Sequence, residues 1–150
     1  MSTGVTGRKE TERDMPLERV VAIADFRAAL RRFLAHSERV ARNHGLTPQR
    51  HLLLLMIKGA EDGSERLSVG EIADRLQLSS NTTTELVDRA EESGLVVRER
   101  SAADGRVVHL RLTPDGERRL NRALIELDAD REQLAEAFDR LNRTFETAHR

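Results

Sequence analysis

Six short hydrogen-bonding side chains stand in a row at Ser80, Asn81, Thr82, Thr83, Thr84 and Glu85. Most are poor helix formers, yet Leu86, Val87 and Ala90 follow at helical spacing and Gly94 supplies a stop. The row therefore opens a helix, with Ser79 as its N-cap. Capping explains Ser79 and leaves the next six positions without a reason. Base-edge chemistry supplies one. Asn pairs with adenine through two bonds, Ser and Thr bond to several bases, a Thr methyl touches that of thymine, and Glu accepts from the cytosine amino group. Arg89, further along, is placed for a phosphate. Downstream, Asp104-Gly105 is a hairpin signal, and Arg98, Arg100, Arg106 and Arg111 decorate its strands and tip. Arg106 beside the turn suits a minor groove, where negative potential attracts a guanidinium. A merely solvated hairpin edge is an equally open reading for Arg98, Arg100 and Arg111.

Those residues need elements to hold them. Ser68 followed by Glu71 is a capping box, and it opens a helix with Ile72, Ala73 and Leu76 on its inner face. Leu78 sits in the short turn before the second helix, so residues 68–94 read as helix-turn-helix. Leu95 and Val97, with Val108, Leu110 and Leu112, are expected to cover the helix pair as a two-stranded wing. Pro16, Pro48 and Pro114 each sit where a helix can begin at its first position, and Thr47 and Thr113 precede two of them as N-caps. A first helix is predicted from Leu17 to about His44, stopped by Gly45, and a second from Pro48 through the interior run HLLLLMI. After Pro114, apolar residues recur at Leu120, Leu124, Leu127, Leu134, Phe138, Leu141 and Phe145, with Arg131 where the series breaks. A helix of 30 residues is about 45 Å long, more than so small a domain covers, so a two-fold dimer through the first and last helices is expected. A plain intrachain bundle is the alternative. The fold class is mainly α, a winged helix with six helices and a two-stranded wing. Residues 1–15 form a flexible arm, 16–60 and 114–147 the dimerisation helices, and 61–113 the DNA-binding lobe.

Composition narrows the function. Charged residues make up 34% of the 150 and cysteine is missing, which removes disulfides, thiolate nucleophiles and zinc-thiolate sites. The histidines show no ligand spacing, so no metal and no cofactor is expected. No glycine-rich phosphate loop, GxSxG or HExxH occurs, which argues against an enzyme. With no long apolar run or secretory signal, the chain is expected to be cytoplasmic and off the membrane. A net charge of -1 means that any surface for nucleic acid must be basic locally.

The capped helix SVGEIADRLQLS, the following TELVDRAEESGLV, the DGR hairpin, the exit LRLTPDGE and the upstream GLTPQR resemble, in order and spacing, the MarR family of winged helix-turn-helix regulators, over residues 17–145. The resemblance implies a homodimer on a pseudo-palindromic operator in double-stranded DNA, usually a repressor, released by a small, often aromatic or phenolic, ligand. It places major-groove contacts on Ser80, Asn81, Thr82, Thr84 and Glu85, a backbone contact on Arg89, and on Asp104 the role of orienting Arg106 into the minor groove. Three positions depart from the pattern. Glu85 stands where many relatives are basic, Ser101 where an early wing acid is common, and Gly105 where a second arginine is frequent. The ligand pocket implied lies between the dimer helices and the DNA-binding lobe, with His36, Ser37 and His51 as its polar candidates. A histidine on a half-buried helix is more often simply satisfied by a hydrogen bond. A winged helix serving as a protein-interaction module, without specific DNA binding, is the other functional reading.

Overall fold

The computed structural model describes residues 14–147, which form six helices and one two-stranded antiparallel sheet. All but the last two residues of the expected N-terminal arm lie outside them. Helix α1 (Leu17–Asn43) starts after Pro16, which takes the N-cap position and not the first helical one. Its end is set by Gly45 at φ +74, a conformation that a Cβ resists. A Cβ there would also meet Nη1 of Arg119 at 2.0 Å. That guanidinium donates to the His44 carbonyl at 3.1 Å and so caps α1 from another helix.

Helix α2 (Pro48–Lys58) begins with proline at its first turn, and Thr47 Oγ1 accepts from the Arg50 N–H at 3.2 Å. The apolar run is interior on one side only. Leu53, Leu54 and Ile57 are fully buried, whereas Leu52 remains 43% exposed. Helix α3 (Val69–Leu76) carries the capping box in full: Ser68 Oγ accepts from Glu71 N–H at 3.2 Å and Glu71 Oε1 accepts from Ser68 N–H at 3.0 Å. Gln77, left-handed at φ 55, turns the chain into α4 (Ser80–Glu92). Ile72 of α3 and Leu86, Val87 and Ala90 of α4 join the α2 leucines in one core, with Leu110 and Leu112 from the sheet and Leu120 from α5.

Strands β1 (Val96–Arg100) and β2 (Val108–Leu112) pair Val96 with Leu112, Arg98 with Leu110 and Arg100 with Val108. The inward residue of β1 is therefore Val96, not the expected Val97. Leu95 is buried too, but it precedes the strand, so alternation counted from Leu95 is off by one residue. The turn also differs from a two-residue hairpin. Gly105 is not at positive φ, and residues 101–107 form a longer loop.

The C-terminal apolar series divides at Leu127 into α5 (Pro114–Glu126) and α6 (Asp128–Thr147). Arg131 causes no gap in packing. Its Nη2 donates to the Leu124 carbonyl and its Nη1 to Asp128 Oδ1, both at 2.6 Å, and this satisfies the end of α5. Leu120 and Leu127 point into the protomer, so only the α6 part of the expected seam, with Phe138 and Phe145, is left outward. Helix α6 lies against α1, where Phe26 and Phe138 meet edge to face with centroids 5.9 Å apart. No described helix is long and apolar enough to cross a membrane.

Candidate nucleic-acid interface

Helical geometry sorts the polar run at the start of α4 into separate roles. Thr83 is fully buried, its hydroxyl donating to the Ser79 carbonyl at 2.8 Å, so it does not belong to the exposed row expected from sequence. Ser79 Oγ accepts from Thr82 N–H at 3.2 Å and donates to Thr82 Oγ1 at 2.9 Å. Thr84 Oγ1 donates back to the Ser80 carbonyl at 2.9 Å. The Ser80, Asn81 and Glu85 side chains are exposed and make no hydrogen bond among the described residues. Asn81, Glu85 and Asp88 lie outermost, Ser80 and Thr84 flank them towards the wing, and Thr82 and Arg89 flank them towards α2. The outward groups are thus polar donors and acceptors on a rigid helix whose inner face is locked in the core.

The wing loop is tied by its own side chains. Ser101 N–H donates to the Val107 carbonyl at 2.8 Å, and Ser101 Oγ accepts from the Ala103 and Asp104 N–H groups at 3.3 and 3.4 Å. Asp104 Oδ1 accepts from the Arg106 N–H at 3.0 Å, an Asx turn that fixes the backbone of the arginine and leaves its guanidinium in solvent. Arg100 Nη1 closes the tip on the Gly105 carbonyl at 3.1 Å. Ser101, which departs from the family pattern, is thereby the residue that holds the loop.

Arg98 is differently employed. Its guanidinium reaches Asp88 at 2.7 Å and Glu91 at 2.5 Å, both on α4, and these carboxylates raise its affinity for the proton. The bridge ties β1 to α4 and sets one cation against two acids, so Arg98, for which the sequence left a DNA contact and a merely solvated edge equally open, is engaged within the protomer. Arg111 is held likewise by Glu99 at 2.8 Å. Arg89 and Arg106 have no side-chain partner among the described residues. Arg50, which no sequence signal singled out, shares a groove with Arg89.

The three pocket candidates do not converge. His36 lines a cavity of about 710 Å³ between α1 and α6, with Nδ1 3.0 Å from Asp130 Oδ2 and with Arg32, Arg39 and Arg140 around it. Ser37 is half-buried on α1 outside that cavity. His51 is 4% exposed, and its buried Nδ1 has no partner among the described residues. Burial, with the Arg131 cation nearby, holds its pKa below the ordinary histidine value.

A helix-turn-helix whose second helix presents an outward polar row, followed by an arginine-tipped hairpin, defines a winged-helix DNA-binding protein. The comparisons with known proteins agree. Residues 44–107 match the MarR family model. The chain is 33% identical over 107 residues to the HTH-type transcriptional regulator YsmB of Bacillus subtilis, spanning 69% of this chain and 68% of that one. It is 36% identical over 73 residues to the B. subtilis transcriptional repressor MdtR, covering 49% of this chain and 44% of that one. Among solved structures, a MarR family protein from Bacillus stearothermophilus superposes with a TM-score of 0.66 and 26% identity, covering 91% of this chain and 99% of the other. A mutant of S. aureus MepR bound to an oligodeoxyribonucleotide shares the fold at a TM-score of 0.60 and 19% identity, covering 82% and 91%. The chain belongs to the MarR family, and it is a transcriptional regulator of the winged helix-turn-helix type.

Proposed function

We propose that this chain is a homodimeric repressor that grips a pseudo-palindromic operator with α4 in the major groove and the wing in the minor groove, and lets go when a small ligand binds. The exposed array of Ser80, Asn81 and Thr84, together with an Arg106 in the wing loop that has no side-chain partner among the described residues, carries the reading. Asn81 is the residue for adenine, Ser80, Thr82 and Thr84 contribute hydroxyls and methyls, and Glu85 accepts from a cytosine amino group. Arg89 takes a phosphate, and Asp104 sets the backbone from which Arg106 reaches the minor groove.

Dimerisation is supported by apolar side chains that the protomer leaves outside. Leu17, Val20 and Val21 on α1 and Phe138 on α6 are each at least 43% exposed, and α1 and α6 pack together. An exposed apolar stretch of this kind marks an association surface. Residues 16–60 and 114–147 are then the dimerisation region and 61–113 the DNA-binding lobe. MdtR, a repressor, supplies the precedent for sign of regulation. For release, the unpartnered Nδ1 of His51 and the cavity at His36 are the two places where a small aromatic or phenolic hydroxyl finds a polar partner.

Selection of bound sites from random duplexes tests the proposal. A recovered consensus with dyad symmetry, half-sites about one helical turn apart, and a dimer in sedimentation are expected. Retention of duplexes without salt dependence, or recovery of no consensus, would instead favour a protein-interaction module.

A further inference from the structure

The flank of α4 that faces α2 carries a feature the family reading does not assign. A groove of about 340 Å³ runs between the start of α2 and α4, and Arg50, Arg89, Thr82 and Glu85 line it. The two guanidiniums come from different helices, 39 positions apart in the chain (89 - 50), and neither has a partner among the described residues. This contrasts with Arg98, Arg111, Arg118 and Arg119, each held by a carboxylate. Among the described residues the only acid lining the groove is Glu85, 4 positions before Arg89 on the same helix (89 - 85) and not ion-paired with it. In the first turn of α2 the Arg50 N–H is already taken by Thr47 Oγ1. What the groove offers is therefore the pair of guanidiniums.

We infer that Arg50 and Arg89 form a two-helix clamp on one phosphodiester of the DNA backbone, so that α2, outside the helix-turn-helix, sets the register of α4 in the groove. This rests on the DNA-binding reading above. The argument is geometric. A helix seated in a major groove about 12 Å wide has a phosphate strand along each flank. The wing closes one flank of α4, as the contacts of Arg98 with Asp88 and Glu91 show, and α2 closes the other. A backbone strand on the α2 side passes the groove mouth, where Thr82 adds a hydroxyl. Guanidinium suits this place because its planar fork takes two phosphate oxygens at once, and a partner on a second helix fixes the strand laterally. Phosphate contacts of this kind position the protein and carry no sequence information directly.

The test is the affinity of the full chain for a fluorescein-labelled pool of random 30-base-pair duplexes, measured by anisotropy across a sodium chloride series. Each phosphate contact contributes about 0.9 to the slope of log K against log salt. Since the clamp holds its phosphate only with both guanidiniums, Arg50→Gln is expected to free it and lower the slope by about 0.9 per protomer, with no further fall when Arg89→Gln is added, to weaken all duplexes alike, and to leave the melting midpoint and selected consensus unchanged. Arg50→Lys should restore the slope. Arg50→Gln combined with Arg89→Gln should lose less affinity than the product of the two single losses, because both groups hold one phosphate. An Arg50→Gln slope equal to that of the unmodified chain overturns the clamp, as does multiplication of the two losses. If the unmodified chain itself shows no salt-dependent binding, the DNA-binding reading has failed, which is a separate result.

Discussion

Arg98 and Arg106 lie on one wing, and the structure gives them opposite fates on substitution. Arg98 bridges two acids on α4, with its side chain one-third exposed and Asp88 50% exposed. Water screens such pairs, and each contributes about 0.2–1 kcal/mol. Two contacts, plus the repulsion between Asp88 and Glu91 one turn apart when the guanidinium is gone, bring the loss for Arg98→Ala to about 1–1.5 kcal/mol. For a domain of this size that lowers the melting midpoint by roughly 2–6 °C at fixed protein concentration, and the difference should shrink in high salt. Arg106→Ala removes no partner among the described residues and should leave the midpoint where it is. In duplex binding both variants weaken, for different reasons. Arg106 is lost as a contact, whereas Arg98 is lost as the counter-charge shared by Asp88 and Glu91. Adding Asp88→Asn and Glu91→Gln to Arg98→Ala should therefore restore most of the duplex affinity, measured by anisotropy, while adding them to Arg106→Ala should not correct the missing contact. If the triple variant built on Arg98→Ala stays weak and its melting midpoint is unchanged throughout, Arg98 touches DNA itself and the brace argument is refuted.

Three further outcomes follow from single positions. Gly116→Ala places a Cβ 2.2 Å from the Leu95 carbonyl oxygen, where the start of α5 docks on the wing, so backbone must move; a loss of about 3 kcal/mol by thermal melting is expected, and a shift of under about 2 °C would mean the junction is loose. His51 has its pKa lowered in the folded state, so below about 6.5 the unfolded chain binds more protons. Stability from this residue is complete above that pH and erodes as pH falls towards the folded value; His51→Gln should flatten the decline in melting midpoint between pH 7 and 5, and parallel curves would contradict it. Glu85→Gln should raise affinity for random duplexes in low salt and relax selection at one base position by about 1–3 kcal/mol in competition binding, and an unchanged consensus would remove Glu85 from the base-reading set.

Much of this was legible because local chemistry and tertiary demand coincide. The capping box at Ser68 and Glu71, the N-caps Thr47, Ser79 and Thr113, and the stops at Gly45 and Gly94 depend on neighbouring residues alone, and all form as read. Where a side chain's fate depends on distant elements, the sequence was mute. Thr83 reads like its neighbours, and only the rotation of α4 against the core decides that it is buried. Val97 loses its place to Val96 because the strand begins one residue later than the apolar run. Arg98 and Arg106 are indistinguishable in a string, and Arg50 looks like any solvated helix residue until α4 is laid beside it. Charge periodicity cannot show pairing between elements that meet only after folding.

That pairing also accounts for how a chain of net charge -1 presents a surface to a polyanion. The outward stripe of α4 is acidic beyond its first turn, with Glu85, Asp88 and Glu92. If all of these were bare, they would oppose the phosphates within a screening length of about 8 Å. Arg98 neutralises Asp88 and reaches Glu91 as well, and Glu99 is shared between Arg66 and Arg111. Of the acids that stay unpaired, Glu92 sits at the C-terminal end of α4, and Glu85 alone stands in the half with which a recognition helix reads bases. On this face the cations without a carboxylate partner among the described residues are Arg100 and Arg106 at the wing and, on the opposite flank of α4, its own Arg89 with Arg50 of α2. On the proposed reading, with so few cations engaged, binding would gain little from charge alone and depend more on the fit of Ser80, Asn81, Thr84 and Glu85 to particular bases. The near-neutral balance that argued against nucleic-acid binding in the composition is therefore an argument for selectivity in the fold: weak retention of random DNA and a correspondingly larger ratio for the correct site.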